Sequence, residues 1–382
     1  MSYALPKKVL DYLENSHQEM LDLLEELCQI PAPSGHEELR AEFCKNWFIK
    51  NGAPNVYVDD ALNVVVPYDC DGKDDIVVFM AHTDVVFPDT TPLPLVKDGD
   101  IWRCPGIGDD TACLVLMMMV AKYVFANKLE SDKGILFVAN SCEEGLGNLK
   151  GSRQIFKDFN GKITEFYTFD GGYAHLVNKC VGSHRYQIDF TSTGGHSFSA
   201  FGNTNAIAVM SELITELYKC QVPKNGDSKT TFNVGLVEGG TSVNTIAQNC
   251  SMLFEYRSDD LDCLAQMQKF FNETIKKVQA KTDAEIKVEL IGDRPCGGKV
   301  NQAKLDQMTK DVIEICEKYS GEPCNQESGS TDCNIPMSLG VPAVCVGSHK
   351  SWGAHKREEY VYLSSLPIGY KITAETILRF FK

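Results

Sequence analysis

Apolar residues recur at helical spacing from the start of the chain. Val9, Leu13, Met20, Leu23, Leu24 and Leu27 predict helix over residues 7–30, and Pro31 and Pro33 end it, because proline offers no amide hydrogen to a helix interior. Ser34 and Glu37 have the spacing of a capping box, and Leu39, Phe43 and Trp47 continue an apolar stripe to Ile49. The prolines therefore mark a loop between two helical stretches. The period then changes: β-branched runs at 56–67 and 76–81, parted by the turn residues of 69–75, read as strands. Helical periodicity resumes behind Asp109 and Asp110 to residue 126, followed by strand at 134–140, helix at 151–159 and strand at 165–169. That alternation predicts an α/β sheet covered by helices in the first part of the chain.

After Gly182 the texture differs. Strands are predicted at 186–191, 231–237, 251–257 and 286–290, with helices at 204–217 and 261–277, which makes two helices over an antiparallel sheet. The last stretch carries helices at 301–318, 332–339 and 365–380 and one strand at 342–346, too little to stand alone. The economical arrangement is that the last stretch completes the first sheet, giving one domain built from residues 1–183 and 291–382, interrupted by an α+β domain at 184–290.

Composition narrows the function. The 382 residues are 43% apolar and 23% charged, which suits a globular chain of two or three domains. Acids outnumber bases 52 to 37, a formal charge of −15, and no basic run offsets it, so a nucleic-acid partner is not expected. The longest strongly apolar run, 112–121, is half of the roughly 20 residues that span a bilayer. No membrane partner is expected, and the first residues have no apolar core of a secretion signal. Fifteen cysteines without a C-x-x-C pair fit free thiols in a reducing cytoplasm.

The chemistry lies where apolar strands end. Run 76–81 leads into His82-Thr83-Asp84, whose outer residues share one side of an extended chain. A histidine there can ligate a metal while the carboxylate holds its other nitrogen, although the same spacing occurs on solvated loops. Gly106-Ile107-Gly108 precedes Asp109 and an apolar helix, which suits either a carboxylate shared between two cations or a plain N-cap. Strand 134–140 empties into Glu143-Glu144; neighbouring residues of an extended segment point apart, so one glutamate can bind metal while the other faces water, the alternative being a surface pair. Strand 165–169 delivers Asp170 before two glycines, and strand C-termini line the usual ligand crevice of such sheets. So many carboxylates repel unless cations neutralise them. Two divalent ions answer that need; Zn2+ fits histidine and carboxylate donors, and Mn2+ or Co2+ fit as well. Cys142 is expected to face the core.

Together, His82-Thr-Asp84, Gly108-Asp109-Asp110, Glu143-Glu144, Asp170-Gly-Gly, Gly194-Gly-His196-Ser and His355 with Glu358-Glu359-Tyr360-Val361 resemble the co-catalytic zinc exopeptidase family, which includes peptidase T, carboxypeptidase G, aminoacylase and acetylornithine deacetylase. The resemblance spans nearly the whole chain in order. It implies a mixed central sheet flanked by helices, with the inserted domain a ferredoxin-like lid or dimerisation unit. It also implies that His82 and Asp170 hold one metal, Glu144 and His355 the other, and that Asp109 bridges them through a segment whose Asp109–Asp110 peptide bond is cis. Asp84 would orient His82 and Glu143 would be the base. His355 is preferred to His349 as the last ligand because of the residues that follow it. His196 would contact the scissile carbonyl, in some relatives from a neighbouring subunit, which fits a homodimer. Arg257 and Asn244 would bind a terminal carboxylate or nearby backbone, and Gly329-Ser330-Thr331-Asp332 would form a substrate loop.

Two positions depart from the family: Thr111 stands where many relatives carry lysine, and Ala247 where a proline usually follows Asn-Thr-Ile. The implied activity is that of a cytoplasmic metal-dependent exopeptidase acting on short peptides. An N-acyl or N-carbamoyl amino acid amidohydrolase is the alternative on the same site. A metal-dependent interaction protein without hydrolysis is the third reading, disfavoured because binding two ions needs no extra base such as Glu143. A dinucleotide fold lacks its G-x-G-x-x-G signal, and a serine hydrolase its G-x-S-x-G elbow.

Overall fold

The computed structural model describes residues 4–382. Two compact units are present, one formed by the chain up to Cys180 together with Lys299–Lys382, the other by Val181–Gly298. In the first, eight strands make a mixed sheet in the order Tyr57–Val58, Val64–Tyr68, Gly134–Asn140, Ile76–His82, Ile163–Phe169, Ala343–Val346, His175–Cys180, Asn325–Gly329. The central run from Gly134–Asn140 to Ala343–Val346 is parallel. Every residue of Ile76–His82 and Gly134–Asn140 is buried, as parallel strands covered on both faces require, which is why they read as unbroken apolar runs. The returning C-terminal segment supplies strand Ala343–Val346 and helix Leu366–Leu378, whose buried face packs on helix Cys113–Asn127. The first unit thus has the mixed central sheet flanked by helices that the sequence implied.

Several local expectations change. The helical stretch at 7–30 is two helices, Lys7–Asn15 and His17–Cys28, separated at Ser16, whose hydroxyl donates to the Tyr12 carbonyl at 2.7 Å and so satisfies a helix-end acceptor. The capping box at Ser34 and Glu37 does not form. Helix Glu38–Lys50 has no side-chain cap; the Ser34 hydroxyl donates to Asp84 at 2.6 Å, and Glu37 Oε1 accepts the Gly35 and Cys142 amides at 2.8 and 3.0 Å. A tertiary acceptor for Ser34 and a tertiary donor for Glu37, both near the strand ends, outcompete the local cap. The strand expected over 56–67 is broken by a turn in which Asp59 accepts the Ala61 and Asn63 amides. A small sheet, Ser351–Trp352, Tyr360–Tyr362, Ile101–Arg103 and Val96–Asp98, gave too short a pattern to be read.

The second unit is a four-stranded antiparallel sheet, ordered Thr230–Gly239, Asn249–Ser258, Gly182–Thr191, Glu285–Arg294, with helices Ala206–Leu217 and Leu261–Gln279. Its own core gathers Ile188, Phe190, Leu213, Met252 and Phe271. All fifteen cysteines are free thiols. Among the described residues, no helix is long and apolar enough to cross a membrane.

Candidate metal centre

The C-terminal ends of three adjacent strands, Gly134–Asn140, Ile76–His82 and Ile163–Phe169, deliver the acidic and histidine residues to one place. The two Asp109 carboxylate oxygens face different histidines: Oδ1 lies 3.1 Å from His82 Nε2 and Oδ2 lies 3.2 Å from His355 Nε2. His355 Nε2 is also 3.1 Å from Glu144 Oε1. Two ligand sets follow, His82 with Asp109 and Asp170, and Asp109 with Glu144 and His355, the donor atoms of each lying within 4.8 Å of one another. A third grouping of His82, Glu143 and Glu144 meets the same limit, so both glutamates reach the centre. The Asp109–Asp110 peptide bond is cis. Asp109 does not cap the following helix: its carboxylate faces the histidines, and that of Asp110 accepts the His82 amide at 3.1 Å.

Asp84 has a broader task than orienting a ring. His82 Nδ1 approaches the Asp84 backbone carbonyl at 3.0 Å and its carboxylate at 3.4 Å, while that carboxylate accepts the Glu143 and Glu144 amides at 3.0 and 2.9 Å. The group therefore ties the end of one strand to the glutamate pair of the next. Arg40, fully buried, braces the same strand end: it donates to the carbonyls of Ile30 and Thr83 at 2.7 and 2.8 Å and to the Thr111 hydroxyl at 3.1 Å. His349 is buried with Nδ1 3.4 Å from Cys113 Sγ and belongs to neither ligand set. Cys142 is buried, with its thiol on Glu37 and not among the ligand atoms.

Electrostatics test whether these donors suit cations. Burial and the Asp109 charge push Asp170 up to about 7, well outside the carboxylate range. Hydrogen bonds donated by its ring to the carboxylates of Asp109 and Glu144 raise His355 to about 10. Burial opposes protonation of His82, yet its hydrogen bonds to Asp109 and Asp84 raise it well above an ordinary histidine. Without a cation the cluster must gather protons to balance its acids; divalent ions supply that charge, so the donor set fits them. Raised values mean that the folded, metal-free chain binds protons more tightly than the unfolded one. Stability from His355 is thus complete below its ordinary value near 6.5 and is lost as pH climbs toward about 10. The melting temperature of metal-free protein is expected to fall from pH 6.5 to 9, and added Zn2+ to flatten that slope. Calorimetry at three pH values checks this, and a level or rising trend without metal contradicts it.

The model of peptidase family M20/M25/M40 matches residues 78–379. The chain belongs to this family. Succinyl-diaminopimelate desuccinylase of Corynebacterium glutamicum is 24% identical over 352 residues, covering 88% of this chain and 90% of that protein. A tripeptidase from Staphylococcus aureus superposes with a TM-score of 0.75 at 21% identity, covering 94% of this chain and 97% of its own. The Bacillus subtilis protein YXEP, described as a dinuclear metal binding peptidase of the M20 family, does so with a TM-score of 0.65 at 13% identity, covering 95% and 98%. The chain is an M20-family hydrolase with a candidate metal site.

The departures of this M20 chain have local accounts. The Thr111 hydroxyl donates to the Gly106 carbonyl at 2.6 Å and accepts from Arg40, holding the loop before Asp109. Ala247, almost fully buried, offers its carbonyl to the Ala206 amide at 2.9 Å and the Ser192 hydroxyl at 3.1 Å. In the second unit, exposed His196 pairs with Thr245, and its Nδ1 accepts the Phe198 amide at 3.2 Å; Ser197 donates to the Asn244 carbonyl at 3.0 Å. Those two candidates are neighbours. Arg257 is not with them: it lies toward the far end of strand Asn249–Ser258, its guanidinium engaged by both Glu255 oxygens at 3.0 Å. Gly329 ends an edge strand of the first unit and Ser330 follows it. Asp332 was read only as the end of a substrate loop; in the structure it is buried and accepts from Asn140 at 2.7 Å and from Ser152. Its place in a polar turn gave no periodic signal. Glu37 was missed as a support because its spacing fitted a local cap.

Proposed function

We propose that this chain is a two-metal exopeptidase that hydrolyses short peptides at a terminal amide bond. The observation that carries the reading is Asp109, whose two oxygens each face a different histidine while Glu143 stands beside Glu144. His82, Asp109 and Asp170 would hold one divalent ion and Asp109, Glu144 and His355 the other, with Zn2+ the first candidate. Bound there, the pair would acidify a water and polarise the substrate carbonyl.

The protein's own groups do the rest. Asp84 holds the backbone amides of Glu143 and Glu144, which fixes where the two side chains start. Glu143 takes a proton from water as its oxygen attacks the carbonyl carbon, then returns that proton to the amine nitrogen as the C–N bond breaks. One carboxylate thus serves as base and then as acid. The tripeptidase likeness supports peptides as substrates. The desuccinylase relative supports a second reading, an N-acyl amino acid amidohydrolase, since the same proton transfers cleave either amide.

A panel of di- and tripeptides and N-acyl amino acids, assayed with Zn2+, Mn2+ and Co2+, separates the readings. Hydrolysis of peptides is expected, about two metals per chain, loss of activity with a chelator and recovery on adding metal back. Turnover confined to acyl amino acids selects the second reading. Two bound metals with no turnover on any substrate refutes both.

A further inference from the structure

Glu359 was noted in the sequence only as part of the context of His355. In the structure its side chain is buried, 1% exposed, and it reaches across 250 positions of sequence to the loop that carries Asp109. Oε2 accepts the Gly106 amide at 2.9 Å, and Oε1 accepts the amides of Gly108 and Asp109 at 2.7 and 2.8 Å. Three backbone donors on one buried carboxylate form a rigid, charge-assisted clamp. The Glu359 backbone is tied at both ends, its amide to the Lys356 carbonyl at 3.1 Å and its carbonyl to the Cys104 amide at 3.1 Å. The loop is also cut to receive it, since a Cβ at position 108 would sit 2.9 Å from Glu359 Oε1 and 2.8 Å from Ser351 Cβ. Glycine is needed there for the carboxylate to approach.

We infer that Glu359 is a positioning residue, which by holding the amides of Gly106, Gly108 and Asp109 directs the two oxygens of Asp109 toward His82 and His355. The same short segment bears His355 four residues earlier, so one piece of chain sets both a candidate ligand and the direction of the carboxylate opposite it. A carboxylate suits this place because it brings acceptors only. A glutamine would turn an N–H toward an N–H, leaving a buried donor unpaired and the loop free to shift.

The inference rests on the two-cation reading, and Co2+ binding to the purified chain tests the two separately. Wild-type protein, stripped of metal and titrated with Co2+, is expected to take up two ions with a visible absorption spectrum. Glu359→Gln is expected to raise the Co2+ dissociation constant by about 10- to 100-fold, the usual effect of losing an outer support. Its cobalt spectrum is expected to change, and kcat on the best substrate to fall with little change in KM. A role confined to packing would lower the melting temperature and leave the spectrum and affinity alone, which overturns the inference. Glu359→Asp keeps the charge with a shorter reach and is expected to fall between the two; it also serves if the glutamine variant does not fold. Failure of both to fold, judged by circular dichroism, counts against the inference, because the carboxylate would then hold the fold and not one side chain. Wild-type protein that binds no Co2+ removes the two-cation reading itself and the inference with it.

Discussion

Replacing Glu143 by glutamine is expected to lower kcat by about 10²- to 10⁴-fold, the range over which a positioned acid–base group acts, while two metals remain bound. Glutamine keeps the size and backbone of glutamate, so the Glu143 amide still donates to Asp84 and the pair stays in place. What is lost is the ability to take a proton from water and hand it on. The two ligand sets that share Asp109 do not include Glu143, so metal analysis after dialysis should match wild type. The grouping of His82, Glu143 and Glu144 offers the competing outcome. If metal content falls together with kcat, Glu143 is a ligand and the base must be sought elsewhere; unchanged turnover removes it from the mechanism.

Asp109→Ala is expected to have the larger effect on metal. An outer support typically contributes 10- to 100-fold in affinity, and Asp109 is proposed as a direct donor to both ions, so Zn2+ affinity should fall by more than about 100-fold at both. Hydrolysis should fall with it and should not recover at high Zn2+, because two histidines would face a gap where a shared charge belongs. The remaining acids also lose the partner that raises Asp170 and His355, so the pH trend of the metal-free chain should weaken in the same variant. Metal content by atomic absorption, read beside melting curves at pH 6.5 and 9, tests both parts. Retention of two tightly bound ions would refute Asp109 as the bridge.

Much of the centre was legible because strands announce their ends. An apolar run such as 76–81 or 134–140 can be buried only inside a covered sheet, so a polar group where it stops must lie at the carboxyl end of the strands, where such sheets hold ligands. His82, Glu143, Glu144 and Asp170 were found in that way, with no need to know which strands are neighbours. His355 was different. It sits in a loop between two short strands, and its preference over His349 came from family context; the structure buries His349 against Cys113 and leaves His355 beside Asp109 and Glu144.

The sequence by itself determined the layered α/β character of the first unit, the change of texture after Gly182 and the kinds of residue gathered at strand ends, because period and composition are local properties that burial stamps on each segment. Only the tertiary structure decided what each polar group does. Ser34 and Glu37 fit a capping box by spacing, yet their oxygens serve Asp84 and Cys142, and Glu359 answers three amides some 250 residues away. A buried carboxylate takes whichever donors the fold brings within reach, and that choice depends on strand order and on the return of the C-terminal segment, neither of which leaves a period in the chain.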